Sequence, residues 1–515
     1  MLSIVLALII IELNKQNTMK TMELLNHIKS RKAILPYLYL TIGLVLFLFS
    51  NFNWTVPILT WIAPFFLIRS VRTFKDWKGV TFTFILILIA HSIQLKGIIP
   101  AQGILYFMMM LGGCIFVFLP YLTDRWLNKK LNTFQATLVF PITSVIAEYV
   151  VSISNGYAGS WGSLAHTQDN LALLQIVSIT GIWGLTFIIA WTGPILNWLC
   201  DQKFEIAKIK RGLLIFSAVI FTVFLYGEIR TRIFPANSNT VRVASITHDI
   251  DLNDSTNFTA DINRLQAFRN RTLIIQTELL KLSTKAADYG AKIIFLHEAS
   301  LMVLKEDEQA LIAKACTLSR TKNIYFGLSL LTVTKEFPKK PGEAKIVWIN
   351  PLGNMIWDFN KAYPTPSDPI IAGDKQIKSF DTPYGKISSV ICFDMDFPSF
   401  INKAGKENID IMLVPANDWK GITPLHANMS KLRTIENGFS MVRCTGRGLS
   451  IATDYLGKTL CELDYYKTKE QIMISDIPIK GAKTIYAKMG DWFVWLCIIG
   501  LLFLFRRIYF IRKTD

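Results

Sequence analysis

Ser389-Val390-Ile391-Cys392-Phe393-Asp394-Met395-Asp396-Phe397-Pro398 reads as the end of a short buried strand that delivers a cysteine into an acidic turn closed by proline. Ile387 to Ile391 has few polar breaks, and the proline keeps the turn from running on as strand. A thiol at a strand end facing a polar loop is a candidate nucleophile, whereas a lone cysteine taken by itself is more often a small, half-buried apolar residue. The surrounding chain separates the two.

Around this stretch, short apolar or alternating runs recur: Val241 to Ile246, Lys292 to Leu296, Ile324 to Leu328, Lys345 to Ile349, Ile409 to Val414 and Gly448 to Thr453. Polar helical segments lie between them, notably Ala260 to Ala287 and Ala427 to Asn437. That alternation predicts one α/β domain over residues 229–488, long enough to bury a large core.

Outside those limits the chain changes character. Hydrophobic residues make up 51% of the 515 and mean hydropathy is positive, which points to a membrane protein. Apolar runs span Ile34 to Ser50, Trp54 to Leu67, Val80 to Leu95, Ile104 to Leu122, Phe134 to Ile153, Leu171 to Trp198 and Leu213 to Tyr226, with an eighth at Trp492 to Phe505. Most approach the roughly 20 residues a spanning helix needs. We therefore expect a cytoplasmic extension over 1–33, a seven-span region over 34–228, and a closing helix with a basic tail over 489–515.

The net charge of +17 is gathered in short Lys/Arg clusters between these runs, the pattern of topology signals and not of a nucleic-acid surface. The basic connections Arg69 to Lys78, Asp124 to Lys130 and Lys203 to Arg211 alternate with connections lacking such clusters. With Arg506-Arg507 and Arg512-Lys513 at the end, the positive-inside rule places 229–488 outside the cytoplasm. A transporter is disfavoured, since the runs lack the buried charges that mark a solute path. Seven cysteines without a CxxC pair indicate neither a zinc site nor a disulfide framework.

Two further strand ends bear on Cys392. Ile293-Ile294-Phe295-Leu296-His297-Glu298 delivers a carboxylate, and Trp357-Asp358-Phe359-Asn360-Lys361 a lysine, the latter before a loop with Pro364, Pro366 and Pro369. Three such residues could meet at the carboxyl edge of one sheet. Glu298 would take the thiol proton, Lys361 would lower the thiol pKa and stabilise an oxyanion, and Cys392 would form a thioester. Singly, Glu298 and Lys361 read more readily as solvated surface charges, and only their combination in this order is informative.

The order Glu298, Lys361, Cys392, with Ile391-Cys392-Phe393-Asp394 and Phe397-Pro398, resembles the nitrilase (carbon-nitrogen hydrolase) superfamily. The membrane part is similar to its apolipoprotein N-acyltransferase branch. Local matches include Asn51 to Pro64, Gly156 to Thr180 with Gly181-Ile182-Trp183-Gly184, Ala416-Asn417-Asp418-Trp419, Lys431 to Gly438 and Thr484 to Trp492. The resemblance implies a multi-pass helical membrane region joined to an αββα sandwich. It also implies a Glu298-Lys361-Cys392 triad, and Phe393, Asp394, Asp368, Trp419 and Glu436 as substrate-binding or supporting residues. No metal or cofactor is implied.

The implied reaction moves a fatty acyl chain from a membrane phospholipid through the cysteine thioester to the terminal amine of a diacylglyceryl-cysteine lipoprotein. The partners are thus donor lipid, lipoprotein and bilayer in the inner membrane, with no nucleic acid. Residues near Trp419, Tyr486 and Trp492 would hold the mouth of the site at headgroup level, with a plain aromatic belt as the alternative for Trp492. The alternatives in function are a membrane-anchored amidase, in which water replaces the amine, and a degenerate module that binds lipid or protein.

The chain departs from the family in four places. Ser245-Ile246-Thr247-His248-Asp249 stands where a Gln-Asn pair is usual, and His297 where proline is common. Phe393-Asp394 replaces Tyr-Glu, and Asp368 is the one acid in the loop 362–369 that normally carries a supporting glutamate. His297 either packs or tunes Glu298.

Overall fold

The computed structural model describes residues 22–131, 133–154, 158–236, 239–248, 262–366 and 368–514, the side chains of 22–33, 262–264 and 510–514 excepted. Most of the 1–33 extension and Asp249 lie outside these residues. The membrane region contains α1 (Met22–Leu48), α2 (Pro57–Thr73), α3 (Trp77–Gln94), α4 (Gly103–Leu131), α5 (Val139–Ile153), two single-turn helices α6 (Leu171–Leu174) and α7 (Val177–Thr180), then α8 (Ile182–Asp201) and α9 (Ile206–Arg232). The soluble domain follows, and α15 (Trp492–Thr514) closes the chain. Among the described residues six helical stretches are both long and apolar enough to cross a bilayer, at Trp77–Gln94, Gly103–Leu131, Phe134–Ile153, Ile182–Asp201, Ile206–Arg232 and Trp492–Tyr509. Ile34–Leu48 is apolar but shorter, and α2 has 17 residues.

Two expectations about this region are corrected. The run Leu171 to Trp198 is not one helix: it breaks at Gly181, whose φ of +66° suits glycine best, so that α6 and α7 form a short polar-capped entry and the span begins at Ile182. Hydropathy averages across such a break and hides it. Nor are the apolar runs free of buried charge. Glu148 in α5 accepts hydrogen bonds from Ser163 Oγ (2.7 Å), Thr186 Oγ1 (2.7 Å) and the Leu164 amide (3.0 Å). In the connections between the runs, Asp124 also pairs with Arg72 (2.7 Å). These pairs tie elements together in a medium where an unpartnered charge is costly.

The soluble domain runs β1 (Thr240–Ile246), α10 (Ile262–Asp288), β2 (Ile293–Leu296), β3 (Leu301–Leu304), α11 (Glu308–Lys322), β4 (Tyr325–Val333), β5 (Glu343–Ile349), β6 (Met355–Asn360), β7 (Ser379–Thr382), β8 (Gly385–Ser389), α12 (Pro398–Lys406), β9 (Ile411–Ala416), α13 (Leu425–Asn437), β10 (Ser440–Thr445), β11 (Leu449–Thr453), β12 (Thr459–Asp464), β13 (Ile472–Pro478) and α14 (Ile485–Met489). One sheet has the order β13-β1-β2-β4-β5-β6 with β3 added beside β4, the other β12-β11-β10-β9-β8-β7.

The two sheets pack face to face. Ile293 and Phe295 of β2 enter the core shared with Ile387, Ile411 and Leu413 of the second sheet, while Ile294 and Leu296 face α10 and α11. A strand covered on both faces is an unbroken apolar run, which is how β2 reads in sequence. With helices outside both sheets, the domain is the expected αββα sandwich.

Strand direction then sets the site. β8, β9 and β10 are parallel neighbours, β1, β2 and β4 likewise, and β6 regains that direction after two antiparallel steps from β4. The two sheets meet where these strands end: the Glu298 amide, just past β2, donates to the Ala416 carbonyl at the end of β9 (3.2 Å).

Candidate active site

Each expected triad residue stands one to three positions beyond a strand. Lys361 follows β6 directly and Glu298 follows β2 by two, next to Ala299 at φ +50°. Cys392 follows β8 by three and opens a 3₁₀ turn, Cys392–Asp396. Its φ of +49° is unusual for a residue with a side chain. A backbone held there by its surroundings is a recurrent device for presenting a nucleophile.

Asp394 supplies much of that hold. One carboxylate oxygen accepts from the Ile391 amide (2.9 Å) and the other from the Tyr363 amide (2.8 Å), so a single side chain fastens the cysteine turn to the lysine loop. Burial drives its carboxyl up to about 7. Fully buried, Asp394 supports the turn from behind and does not face a substrate.

The structure brings the triad together. Lys361 Nζ lies 2.7 Å from Glu298 Oε1 and 3.1 Å from Asp368 Oδ2, so Asp368 meets the lysine at closer quarters than its place in a proline-rich loop implied. Burial opposes the Lys361 charge, but Glu298, Cys392 and Asp368 together hold its ammonium well above the usual range. Burial and then the Glu298 carboxylate push the Cys392 thiol well above its ordinary range, against the pull of Lys361. Cys392 therefore rests as a thiol, and an attack by its sulfur would need a base; Glu298 is the adjacent carboxylate.

Glu298, Lys361 and Cys392 line a cavity of about 870 Å³ whose other walls are mainly apolar and come from both domains. Phe393 and Trp419 contribute from the soluble domain, and Phe52, Tyr121 and Trp161 from the membrane region. Trp419 is partly exposed and donates from Nε1 to the Gly97 carbonyl (3.0 Å), bridging the soluble domain to the connection after α3.

Two expected site residues lie elsewhere. Tyr486 is fully buried and does not line the mouth; its hydroxyl donates to Asp491 (3.0 Å), which also accepts from Trp183 Nε1 (2.7 Å). A Cβ on Gly181 would stand 2.5 Å from the Tyr486 ring. Glu436 likewise faces away from the cavity. It accepts from the Ile182 amide (2.8 Å) at the start of α8, where the helix dipole favours a carboxylate, and pairs with buried Arg433 (2.6 Å). Burial outweighs Arg433 and moves its carboxyl up to about 7. Trp492 donates to the Ile179 carbonyl (2.8 Å). These residues, from stretches remote in sequence, dock the soluble domain onto the membrane region.

His297 packs. Its Nδ1 donates to the Glu298 carbonyl (3.0 Å), and its ring lies 4.8 Å from that of His248, which bonds the Ser300 carbonyl (2.8 Å).

A buried quartet beside Cys392 was missed in sequence. His426 Nδ1 is 2.8 Å from Asp418 Oδ1, His426 Nε2 is 3.1 Å from Asp396 Oδ1, and Arg443 grips both Asp418 oxygens at 2.8 Å. Burial works against an imidazolium, yet Asp396 and Asp418 raise His426 to about 9 despite Arg443. Arg443 and His426 hold Asp418 below the usual carboxylate range against its burial. Cys392, Asp418 and His426 each present an atom within 4.8 Å of the others, the spacing of a metal cluster. These Asp418 and His426 donors are already engaged with Arg443 and the two carboxylates, so the donor set fits a charge-balanced network better than a cation site. A faint signal existed: Asp396 belongs to the cysteine stretch and Asp418 adjoins Trp419. Their convergence on one histidine has no periodicity to betray it.

Residues 43–195 match the family model for the apolipoprotein N-acyltransferase N-terminal domain, and residues 272–486 that for carbon-nitrogen hydrolases. The chain is similar to apolipoprotein N-acyltransferases of Geobacter metallireducens, at 23% identity over 66% of this chain and 68% of that protein, and of Rickettsia prowazekii, at 24% over 67% and 70%. Among solved structures, an amidase from Nesterenkonia sp. is similar over 50% of this chain and 95% of that one, at 16% identity and a TM-score of 0.39.

Proposed function

We infer, for a chain that belongs to the apolipoprotein N-acyltransferase branch of the carbon-nitrogen hydrolase superfamily, that it carries out lipoprotein N-acylation at Cys392. The observation that carries the reading is the triad's position: Glu298, Lys361 and Cys392 meet on the wall of an apolar cavity built partly from membrane helices. Acyl chains gain about 0.8 kcal/mol per buried methylene, so a site reached from the bilayer suits substrates that would not leave it.

In the first half-reaction Glu298 takes the Sγ proton as sulfur attacks the ester carbonyl of a phospholipid. The Lys361 ammonium faces the developing oxyanion. The tetrahedral adduct collapses, the C–O bond breaks, and Glu298 returns its proton to the departing lysophospholipid alkoxide, leaving a thioester on Cys392. In the second half-reaction the α-amine of diacylglyceryl-cysteine attacks that thioester and Glu298 accepts an amine proton; the C–S bond breaks as the amide forms, and Glu298 returns the proton to the departing sulfur, restoring the Cys392 thiol. A thioester stays reactive toward amines, which suits transfer. Phe393 and Trp419, on the cavity wall, are the contacts we assign to substrate; Asp368 and Asp394 support Lys361 and the cysteine turn.

The catalytic domain faces outward in this reading. Lys75 and Lys78 flank the start of α3, whereas Gly97, just past its end, touches Trp419 of the catalytic domain. Basic residues thus gather at the membrane face opposite the site, in keeping with the positive-inside rule.

Purified protein incubated with labelled phospholipid is expected to form a hydroxylamine-sensitive acyl adduct on Cys392, discharged by a diacylglyceryl-peptide. Discharge to free fatty acid in the presence of that acceptor would favour the amidase, and full complementation of a transferase-depleted strain by Cys392→Ser would end the covalent mechanism.

A further inference from the structure

The membrane region contributes more to this centre than a cavity wall. Its loop after α5 lies directly on the nucleophile's turn. The Ser160 amide donates to the Asp396 carbonyl (2.8 Å) and Trp161 Nε1 to Asp396 Oδ2 (2.7 Å). Gly159, at φ +52°, comes so close that a Cβ would stand 2.6 Å from the same carbonyl. Asp396 Oδ1 faces His426, whose ring lies 5.5 Å from that of Trp161.

Every acceptor of Asp396 is thus engaged: two by the membrane-region loop and one by the network flanking Cys392. Asp396 is 1% exposed and closes the 3₁₀ turn that Cys392 opens. A carboxylate so committed transmits the position of one segment to another, because no solvent-facing lone pair is left to absorb a shift.

We propose that the loop Gly159–Trp161 is a working part of the catalytic centre, with Trp161 and Asp396 as positioning residues that fix the Cys392 turn, so that thioester formation depends on the seating of the membrane region. This rests on Cys392 being the nucleophile. A misplacement of about 1 Å in a reacting group can cost on the order of a hundredfold in rate, so small losses in this chain register in the first half-reaction.

The test is a double-mutant cycle on the full-length protein in detergent–phospholipid micelles, reading the single-turnover rate of acyl adduct formation on Cys392 by mass spectrometry. Trp161→Phe keeps the ring and deletes one donor; Asp396→Asn alters its acceptor. Each is expected to slow adduct formation about ten- to a hundredfold with the phospholipid concentration at half-maximal rate unchanged, and the double variant to be no slower than the worse single. Gly159→Ala, which presses on Asp396 from the membrane side, should reproduce that signature and carries the test if Trp161→Phe does not accumulate.

Independent, multiplying effects, a change confined to the half-maximal concentration, or wild-type rates in the variants would overturn the proposal. Absence of any adduct on the wild-type protein would instead overturn the acyltransfer reading on which it rests.

Discussion

Replacing Asp394 by asparagine should separate stability from activity along the pH axis. The carboxylate accepts from two buried amides, Ile391 (2.9 Å) and Tyr363 (2.8 Å). An asparagine can accept only one of them and turns its own N–H toward the other. A buried donor left without a partner costs about 1–3 kcal/mol, but at pH 5 the protonated wild-type carboxyl carries a donor of its own, so the two proteins should be about equally stable there. The folded-state carboxyl sits at about 7 against an ordinary 3.8.

A raised acid favours the folded state at low pH: its contribution is complete below 3.8 and is lost as pH rises through 7. At 1.36 kcal/mol per unit, that loss is about 4 kcal/mol for the wild type and nil for the asparagine variant. The variant should therefore become the more stable of the two between pH 5 and 8. Adduct formation should run the other way, because the ionised carboxylate makes the two-sided clamp: the wild-type rate should climb through pH 7, and the variant should stay low throughout. Thermal unfolding followed in detergent, alongside the single-turnover rate, measures both. A wild type that gains stability on the variant as pH rises, or a variant as fast as wild type, would refute the clamp.

Glu298→Gln removes the base but also the carboxylate that raises the thiol, so alkylation of Cys392 by a small thiol reagent at pH 7.5 should quicken while acyl transfer falls about a hundredfold or more; slower alkylation would contradict the assigned electrostatics. Glu436→Ala leaves Arg433 buried without its partner and should cost about 3–5 kcal/mol, seen as a large drop in unfolding temperature, with Glu436→Gln milder because it still accepts from Ile182. Gly181→Ala, set against the Tyr486 ring at positive φ, should loosen the dock and expose the junction near Gly490 to protease without changing the alkylation rate of Cys392 in the intact fraction.

The triad was legible because each member stands just beyond a strand, and strands with both faces buried are continuous apolar runs: β2 and β9 announce themselves. β3, β7, β10, β12 and β13 went unread, since β3 is only four residues long, exposed or polar positions interrupt some of the others, and nothing marks a break before Ser440 except Gly438. The quartet of Asp396, Asp418, His426 and Arg443 was invisible for a different reason. Its members come from four segments whose meeting is a property of the two-sheet packing, and a charge that will be buried looks, in sequence, like one that will be solvated. Tyr486 and Glu436 were recognised as a recurring pattern but given the wrong neighbourhood, because a pattern shared along a chain does not say whether it serves chemistry or assembly.

The cavity at Cys392 has one further consequence, for traffic. Both substrates of the inferred reaction are lipids, and both would lay their chains along the same wall of helices to reach the same sulfur. Once the thioester has formed, a second phospholipid competes with the lipoprotein for that wall, so a surplus of donor should throttle the enzyme instead of driving it. The rate in a membrane would then depend on how often a rare lipoprotein finds the opening vacant amid a crowd of ordinary lipids.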